Sequence, residues 1–251
     1  MGSTAHGRTE LANGVPIHFE IYGAGEPLLL RHGFTGTGQD WMPSAEAWGP
    51  GFQLIVPDLR GHGRSGILAG PFRHRDAAAD MLALFDRLAL NSCRGVGVSG
   101  GGNALLHMAV LQPERVNAMV LVSATPYFPD QARAFMRQYR DSLTAGQREA
   151  LVRRHPGGES QVDALLAAAS AFAASYDDMN LTASDLSRIR ARTLIVQGDR
   201  DPLYPIELSV EMAKAIPQSS LWIVEGGGHG PVAGSRWPEF VTRSREFLAA
   251  S

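Results

Sequence analysis

Five residues, Gly97-Val98-Ser99-Gly100-Gly101, form a Gly-x-Ser-x-Gly sequence directly after an apolar run and directly before a helical pattern. A serine in that setting sits on a sharp strand-to-helix turn, where the flanking glycines remove Cβ atoms that would clash. The chain holds 28 glycines, so the five-residue match draws its force from what surrounds it. Serine attacks a carbonyl only when a neighbouring base takes its proton, and that base needs an acid to orient it. Two later apolar runs end in loops that carry such groups. Thr193–Val196 leads into Gly198-Asp199-Arg200-Asp201-Pro202, and Leu221–Val224 into Glu225-Gly226-Gly227-Gly228-His229-Gly230. Of the eight histidines only His229 has this context, just past a strand-like run, where ligands bind in open α/β sheets. The local acid is Asp199 or Asp201. Such a set would carry out acyl transfer through a covalent serine ester.

The elements that must position these groups are legible as an alternation. An antiparallel pair is expected at Arg8–Leu11 and Ile17–Tyr22, turned by Asn13-Gly14. Continuous apolar runs follow at Pro27–Leu30, Gln53–Val56, Gly95–Val98, Ala118–Val122, Thr193–Val196 and Leu221–Val224, short enough for buried parallel strands. Helical patterns lie between them. One places Ala77, Met81, Leu84, Phe85 and Leu88 on a single face and Asp76, Asp80, Asp86 and Arg87 elsewhere. The last begins near Pro238 and buries Phe240, Ser244, Phe247 and Leu248. From Thr125 to Arg190 no strand is expected, only helical patterns interrupted by His155-Pro156-Gly157-Gly158. A parallel crossover needs about a dozen residues, so this far longer segment predicts an inserted helical cap.

With these residues in view, the chain resembles the α/β-hydrolase-fold serine hydrolases over nearly its whole length. The resemblance rests on His32-Gly33-Phe34, Asp58-Leu59-Arg60-Gly61-His62-Gly63-Arg64-Ser65, the Ser99 turn, Gly198-Asp199-Arg200-Asp201-Pro202 and Gly228-His229-Gly230 in that order. It implies a mostly parallel eight-stranded sheet with helices on both faces, a core of residues 1–124 and 191–251, and a small cap of residues 125–190. It further implies the triad Ser99, Asp201 and His229, with Asp199 tying its loop to backbone amides. The oxyanion hole would be the backbone N–H groups of Phe34 and Gly100. His32 and His62 would shape loops, and His107 would be an ordinary helix residue. A serine nucleophile separates the chain from the similar haloalkane dehalogenases and epoxide hydrolases, which use aspartate. The implied substrates are small carboxylic esters or lactones. Carbon–carbon bond hydrolases, cofactor-free perhydrolases and hydroxynitrile lyases share the triad, and a few members are non-catalytic receptors. The carbon–carbon hydrolases commonly carry a tryptophan soon after the histidine, whereas Trp237 here is expected to open the final helix. Phe34, Tyr127, Phe128, Phe135, Met136, Phe172 and Met179 are candidates for an apolar substrate pocket, or for packing within the cap. The position before His-Gly is usually apolar in the family but is Arg31 here. Arg31 either pairs structurally with a carboxylate or points into the site to favour an anionic substrate.

Bulk composition narrows the rest. A 44% hydrophobic, 19% charged chain of 251 residues with net charge −2 has a substantial core and no broad basic face for nucleic acid. Residues 1–10 lack the apolar stretch of a signal peptide, and no run suits a membrane span. A single cysteine, Cys93, is expected as a buried structural thiol in a cytoplasmic protein. Gly36-Thr37-Gly38 lacks the lysine of a phosphate loop, and histidines and acids show no zinc-ligand spacing. The proposed chemistry needs no metal or cofactor.

Overall fold

A computed structural model describes residues 6–49, 51–68 and 70–250; both ends of the expected core segments lie partly outside these residues. The chain opens with strands β1 (His6–Ala12) and β2 (Val15–Gly23), paired antiparallel. Their turn is Asn13-Gly14, both at positive φ (51° and 78°), the twist that matches two right-handed strands. There follow β3 (Glu26–Arg31), the single-turn α1 (Ala45–Trp48), β4 (Phe52–Pro57), α2 (His74–Arg87), β5 (Cys93–Val98), α3 (Gly100–Leu111) and β6 (Val116–Val122). Between β6 and β7 (Arg192–Gly198) the described chain forms helices and no named strand: α4 (Asp130–Ser142), α5 (Ala145–Arg154), α6 (Gly158–Ala171) and the short α7 (Ala183–Leu186), with one isolated bridge from Tyr127 to Asn180. After β7 come α8 (Ile206–Ala215), β8 (Ser219–Val224) and α9 (Trp237–Ala249).

One sheet holds all eight strands in the order β1-β2-β4-β3-β5-β6-β7-β8, parallel from β4 to β8. Period-two alternation divides each central strand between two apolar layers. Leu29, Ile55, Met119 and Leu121 face α2, α3 and α8, whereas Leu28, Leu30, Val56, Val120 and Val122 face Trp48 and the α9 residues Phe240 and Val241. This is the α/β-hydrolase fold. The chain leaves β3 toward β4 but leaves β5 toward β6. The loops after β3 and β5 therefore part company, opening a crevice at the strand ends.

The helical segment is tied to the sheet domain by polar contacts. From α6, Gln161 Nε2 donates to the carbonyls of Gly61 and Gly63, each at 2.9 Å. Asp178 accepts the N–H groups of His74 and Arg75 at 2.7 and 3.1 Å, capping α2 from a segment more than a hundred residues away.

Two sequence expectations are corrected here. Asp80 is not on a solvated face: it is fully buried, held by Arg60 at 2.6 and 2.7 Å and by Asn13 Nδ2 at 3.0 Å. Phe247 is only half-buried, whereas Phe240, Ser244 and Leu248 are buried as the pattern requires.

Candidate active site

Ser99 stands between the end of β5 and the first residue of α3 at φ 50°, ψ −120°, a conformation side chains rarely adopt. The glycines explain how this turn is possible. A Cβ at Gly97 would lie 2.6 Å from Gly102 Cα, and one at Gly101 would lie 2.4 Å from the His32 carbonyl oxygen. Only bare backbone lets α3 approach β3 and β5 this closely.

Three loops converge on that serine. The Ser99 hydroxyl donates to His229 Nε2 at 2.8 Å, and His229 Nδ1–H donates to Asp201 Oδ2 at 2.8 Å. Asp201 is buried at the end of β7. Its Oδ1 accepts the N–H groups of Leu203 and Tyr204, and its Oδ2 also accepts Gln197 Nε2. Burial alone would raise the Asp201 pKa, but the His229 hydrogen bond and charge, with the two amides, outweigh it and hold the carboxyl below its ordinary range. Asp199, the rival acid, is exposed.

Across the crevice the loop after β3 brings the Phe34 amide nitrogen to within 3.3 Å of where a Cβ of Gly100 would lie. Gly100 N–H belongs to the first turn of α3, whose amides have no intrahelical acceptor. The Phe34 amide and Gly100 are thus neighbours next to Ser99. Neutral imidazoles brace this loop. His32 Nδ1–H donates to the Gly33 carbonyl at 2.8 Å and its Nε2 accepts Leu59 N–H. His62 Nδ1–H donates to the Arg60 carbonyl and its Nε2 accepts Thr35 N–H. Both rings use both nitrogens in the uncharged form, and burial pushes His32 down to about 3 and His62 well below its usual range. His107, on α3, is likewise buried and lowered to about 4.

These depressed values carry a stability consequence. Once unfolded, His32, His62 and His107 regain ordinary values near 6.5 and bind protons that the native state refuses. Stability must then fall as pH drops from about 6.5 toward 4, because the unfolded state gains protons over that window. Urea unfolding at pH 7.0 and pH 5.0 should show the midpoint lower at pH 5.0; an unchanged or higher midpoint would contradict the buried, neutral assignment.

The site opens into a cavity of about 430 Å³ between the strand ends and the helical segment. Five of the apolar candidates, Phe34, Phe128, Phe172, Phe135 and Met136, line it. Three other candidates do not. Arg31 is fully buried beneath α2, with its guanidinium donating to the Ala77 carbonyl at 3.2 Å and lying 3.7 Å from Met108 Sδ. Arg31 neither reaches the cavity nor makes a direct carboxylate pair, since Asp80 is taken by Arg60. Burial lowers Arg31 to about 10, opposed by the Asp80 charge, so the guanidinium stays cationic at neutral pH. Tyr127 faces outward, its hydroxyl donating to Glu211. Met179 is buried in the apolar cluster behind Phe128 and Phe172 without lining the cavity. Cys93 is buried in the sheet, its thiol raised to about 12 by desolvation.

Sequence reading missed several cavity residues, chiefly His74, Asn103, Tyr139 and Tyr204. No local motif marks them. His74 lies between two arginines at the start of an amphipathic helix, where a polar residue reads as solvated.

A model of the alpha/beta hydrolase fold family matches residues 26–155 and 140–233 of the chain. The chain belongs to the alpha/beta hydrolase fold family. Among relatives, a putative carbamate hydrolase RutD from Pseudomonas syringae pv. syringae is 30% identical, over 80% of this chain and 86% of its own. A pimeloyl-[acyl-carrier protein] methyl ester esterase from Xanthomonas campestris pv. campestris is also 30% identical, over 87% of this chain and 93% of its own. The solved structure of Est816, described as an N-acyl homoserine lactone degrading enzyme, superposes with a TM-score of 0.78 at 26% identity, covering 96% of this chain and 100% of that one. Among the described residues, no helix of this hydrolase-family chain is long and apolar enough to cross a membrane.

Proposed function

We propose that the chain hydrolyses a carboxylic ester or lactone of a small molecule through an acyl-enzyme on Ser99. The observation that carries this reading is the unbroken Asp201–His229–Ser99 relay, with both links at 2.8 Å. His229 Nε2 takes the hydroxyl proton as Ser99 Oγ attacks the carbonyl, and Asp201 holds the imidazole in the productive tautomer while balancing its charge. The tetrahedral oxyanion accepts hydrogen bonds from Phe34 and Gly100 N–H, each donor of this type lowering the barrier by about 3 kcal/mol. His229 then protonates the departing alcohol and activates water against the acyl-enzyme. Residues 125–190 act as the cap that closes the substrate cavity, with Phe34, Phe128 and Phe172 as apolar walls.

Ester chemistry is favoured over carbon–carbon cleavage by the place of Trp237. It opens α9 and packs on Trp41 and Phe240 at ring separations of 5.8 and 5.3 Å, outside the cavity lining. The likeness to a methyl ester esterase and to a lactone-degrading enzyme supports the same choice. A panel of p-nitrophenyl acyl esters, aliphatic lactones and vinylogous diketones tests it. Turnover of esters or lactones with little or none of the diketones is expected; turnover of the diketones alone would overturn the ester reading.

A further inference from the structure

A second histidine–carboxylate pair faces the same cavity, and the relay above does not use it. His74 Nδ1–H donates to Asp178 Oδ2 at 2.8 Å, and the two side chains are 2% and 1% exposed. Burial raises the Asp178 pKa, but the His74 side chain and the His74 and Arg75 amides overcome this and bring it down to about 2. Asp178 is thus a fixed anion that holds His74 by Nδ1. The opposite nitrogen, Nε2, lies 3.6 Å from where a Cβ of Gly100 would sit, the same point that the Phe34 amide approaches. The rings of Phe72, Phe128 and Phe172 pack around the imidazole at 5.2, 5.7 and 5.1 Å, so its orientation is held from several sides.

Capping of α2 accounts for Asp178, and the Nδ1–H bond ties His74 to that carboxylate; neither contact uses Nε2. The carboxylate caps α2 through two backbone amides, and any residue but proline at position 74 would supply one of them. What the imidazole adds is a polar atom in a wall of phenylalanines, beside the oxyanion donors. With Nδ1–H committed to Asp178, Nε2 is the ring nitrogen left beside Gly100 and Phe34.

We propose that His74 is a specificity-determining residue whose Nε2 accepts a hydrogen bond from a hydroxyl or N–H on the substrate atom next to the scissile carbonyl. The preferred substrates are then esters or lactones of acyl groups carrying such a donor. This rests on the ester-hydrolase reading of the cavity and narrows its substrate class. A plain acyl chain leaves Nε2 desolvated and unpaired, which is the source of discrimination.

The test compares p-nitrophenyl propanoate with the 2-hydroxypropanoate and 2-formamidopropanoate esters at pH 8, each kcat/KM normalised to the rate of alkaline hydrolysis. The wild-type chain should favour at least one donor-bearing ester by about tenfold, the hydroxyl and formamido arms showing which donor fits. In His74→Leu that ratio should collapse to within about twofold, and His74→Gln, which keeps an acceptor, should retain part of it. Should His74→Leu fail to fold, because Asp178 loses a donor, His74→Leu/Asp178→Asn makes the same comparison. A ratio equal in wild type and variants, or a wild-type chain with no preference, would overturn the proposal, as would a His74-dependent preference for an anionic succinate half-ester alone. Turnover of the propanoate ester by the wild-type chain reports on the hydrolase reading separately. If no ester is turned over, the same ratio is read from protection of Ser99 against fluorophosphonate labelling.

Discussion

Ser99→Ala should lower kcat for a p-nitrophenyl acyl ester by about 10⁵-fold or more while leaving the fold intact. In the proposed mechanism the hydroxyl forms the acyl bond, and its removal leaves just the amides of Phe34 and Gly100 and the cavity to favour reaction. His229→Ala should cost a similar factor, because a serine without a base is as inert as no serine. The double variant should be no worse than either single one, since residues acting as a unit do not contribute additively. The fold should survive because the Ser99 side chain makes a single hydrogen bond, to His229, and fills little space. Thermal melting of Ser99→Ala within a few degrees of wild type, together with lost turnover, is the expected pair of results. Turnover retained within tenfold would remove Ser99 from the reaction.

Gly101→Ala should destabilise the chain by about 3 kcal/mol, which for a domain of this size lowers Tm by roughly 6–12 °C. The added Cβ would lie 2.4 Å from the His32 carbonyl oxygen and 2.6 Å from that of Arg31. Both are backbone atoms of β3 and its following residue, so no side chain can rotate away. The contact is relieved only by lifting α3 from the sheet, which carries Ser99 and Gly100 away from Phe34. Activity should therefore fall at least tenfold even at temperatures where the variant remains folded. Gly146→Ala is the matched control. It lies in the first turn of α5 with nothing within 4 Å of a new Cβ, so replacing glycine should be neutral or stabilising by up to about 1 kcal/mol. A Gly101→Ala protein that melts with wild type would contradict the close approach at the serine turn.

Most of the sheet was legible because its strands are buried on both faces. A run such as Ala118–Val122 has no solvated side to blur it, and the observed strand extends it by only two residues at one end. The Ser99 turn and the glycine-rich histidine loop were legible for a different reason. Their backbones need glycine at Gly97, Gly101, Gly226 and Gly227, and that requirement is written locally. What stayed hidden was pairing across distance. Asp80 looks like one more acid on an amphipathic helix until Arg60 and Asn13 are brought against it. Arg31 reads as a charge seeking either a carboxylate or a substrate; its partner is the Ala77 carbonyl, which no side-chain pattern announces. His74 and Asp178 are 104 positions apart, and each is individually unremarkable in its own segment. The helical stretch from 125 to 190 shows the same limit. Its helices follow from periodicity, but which side chains face the cavity depends on how they pack. Phe128 and Phe172 turn inward whereas Tyr127, one residue from Phe128, turns out to Glu211.

The covalent intermediate is the most direct test. Acid-quenching a p-nitrophenyl ester reaction within its first turnovers, then digesting the protein and weighing its peptides, should find the acyl mass on the peptide containing Ser99. The adduct should accumulate to higher occupancy with slowly deacylating esters and be missing in Ser99→Ala. An adduct confined to another side chain, or rapid turnover through which Ser99 never becomes acylated, would contradict the central claim.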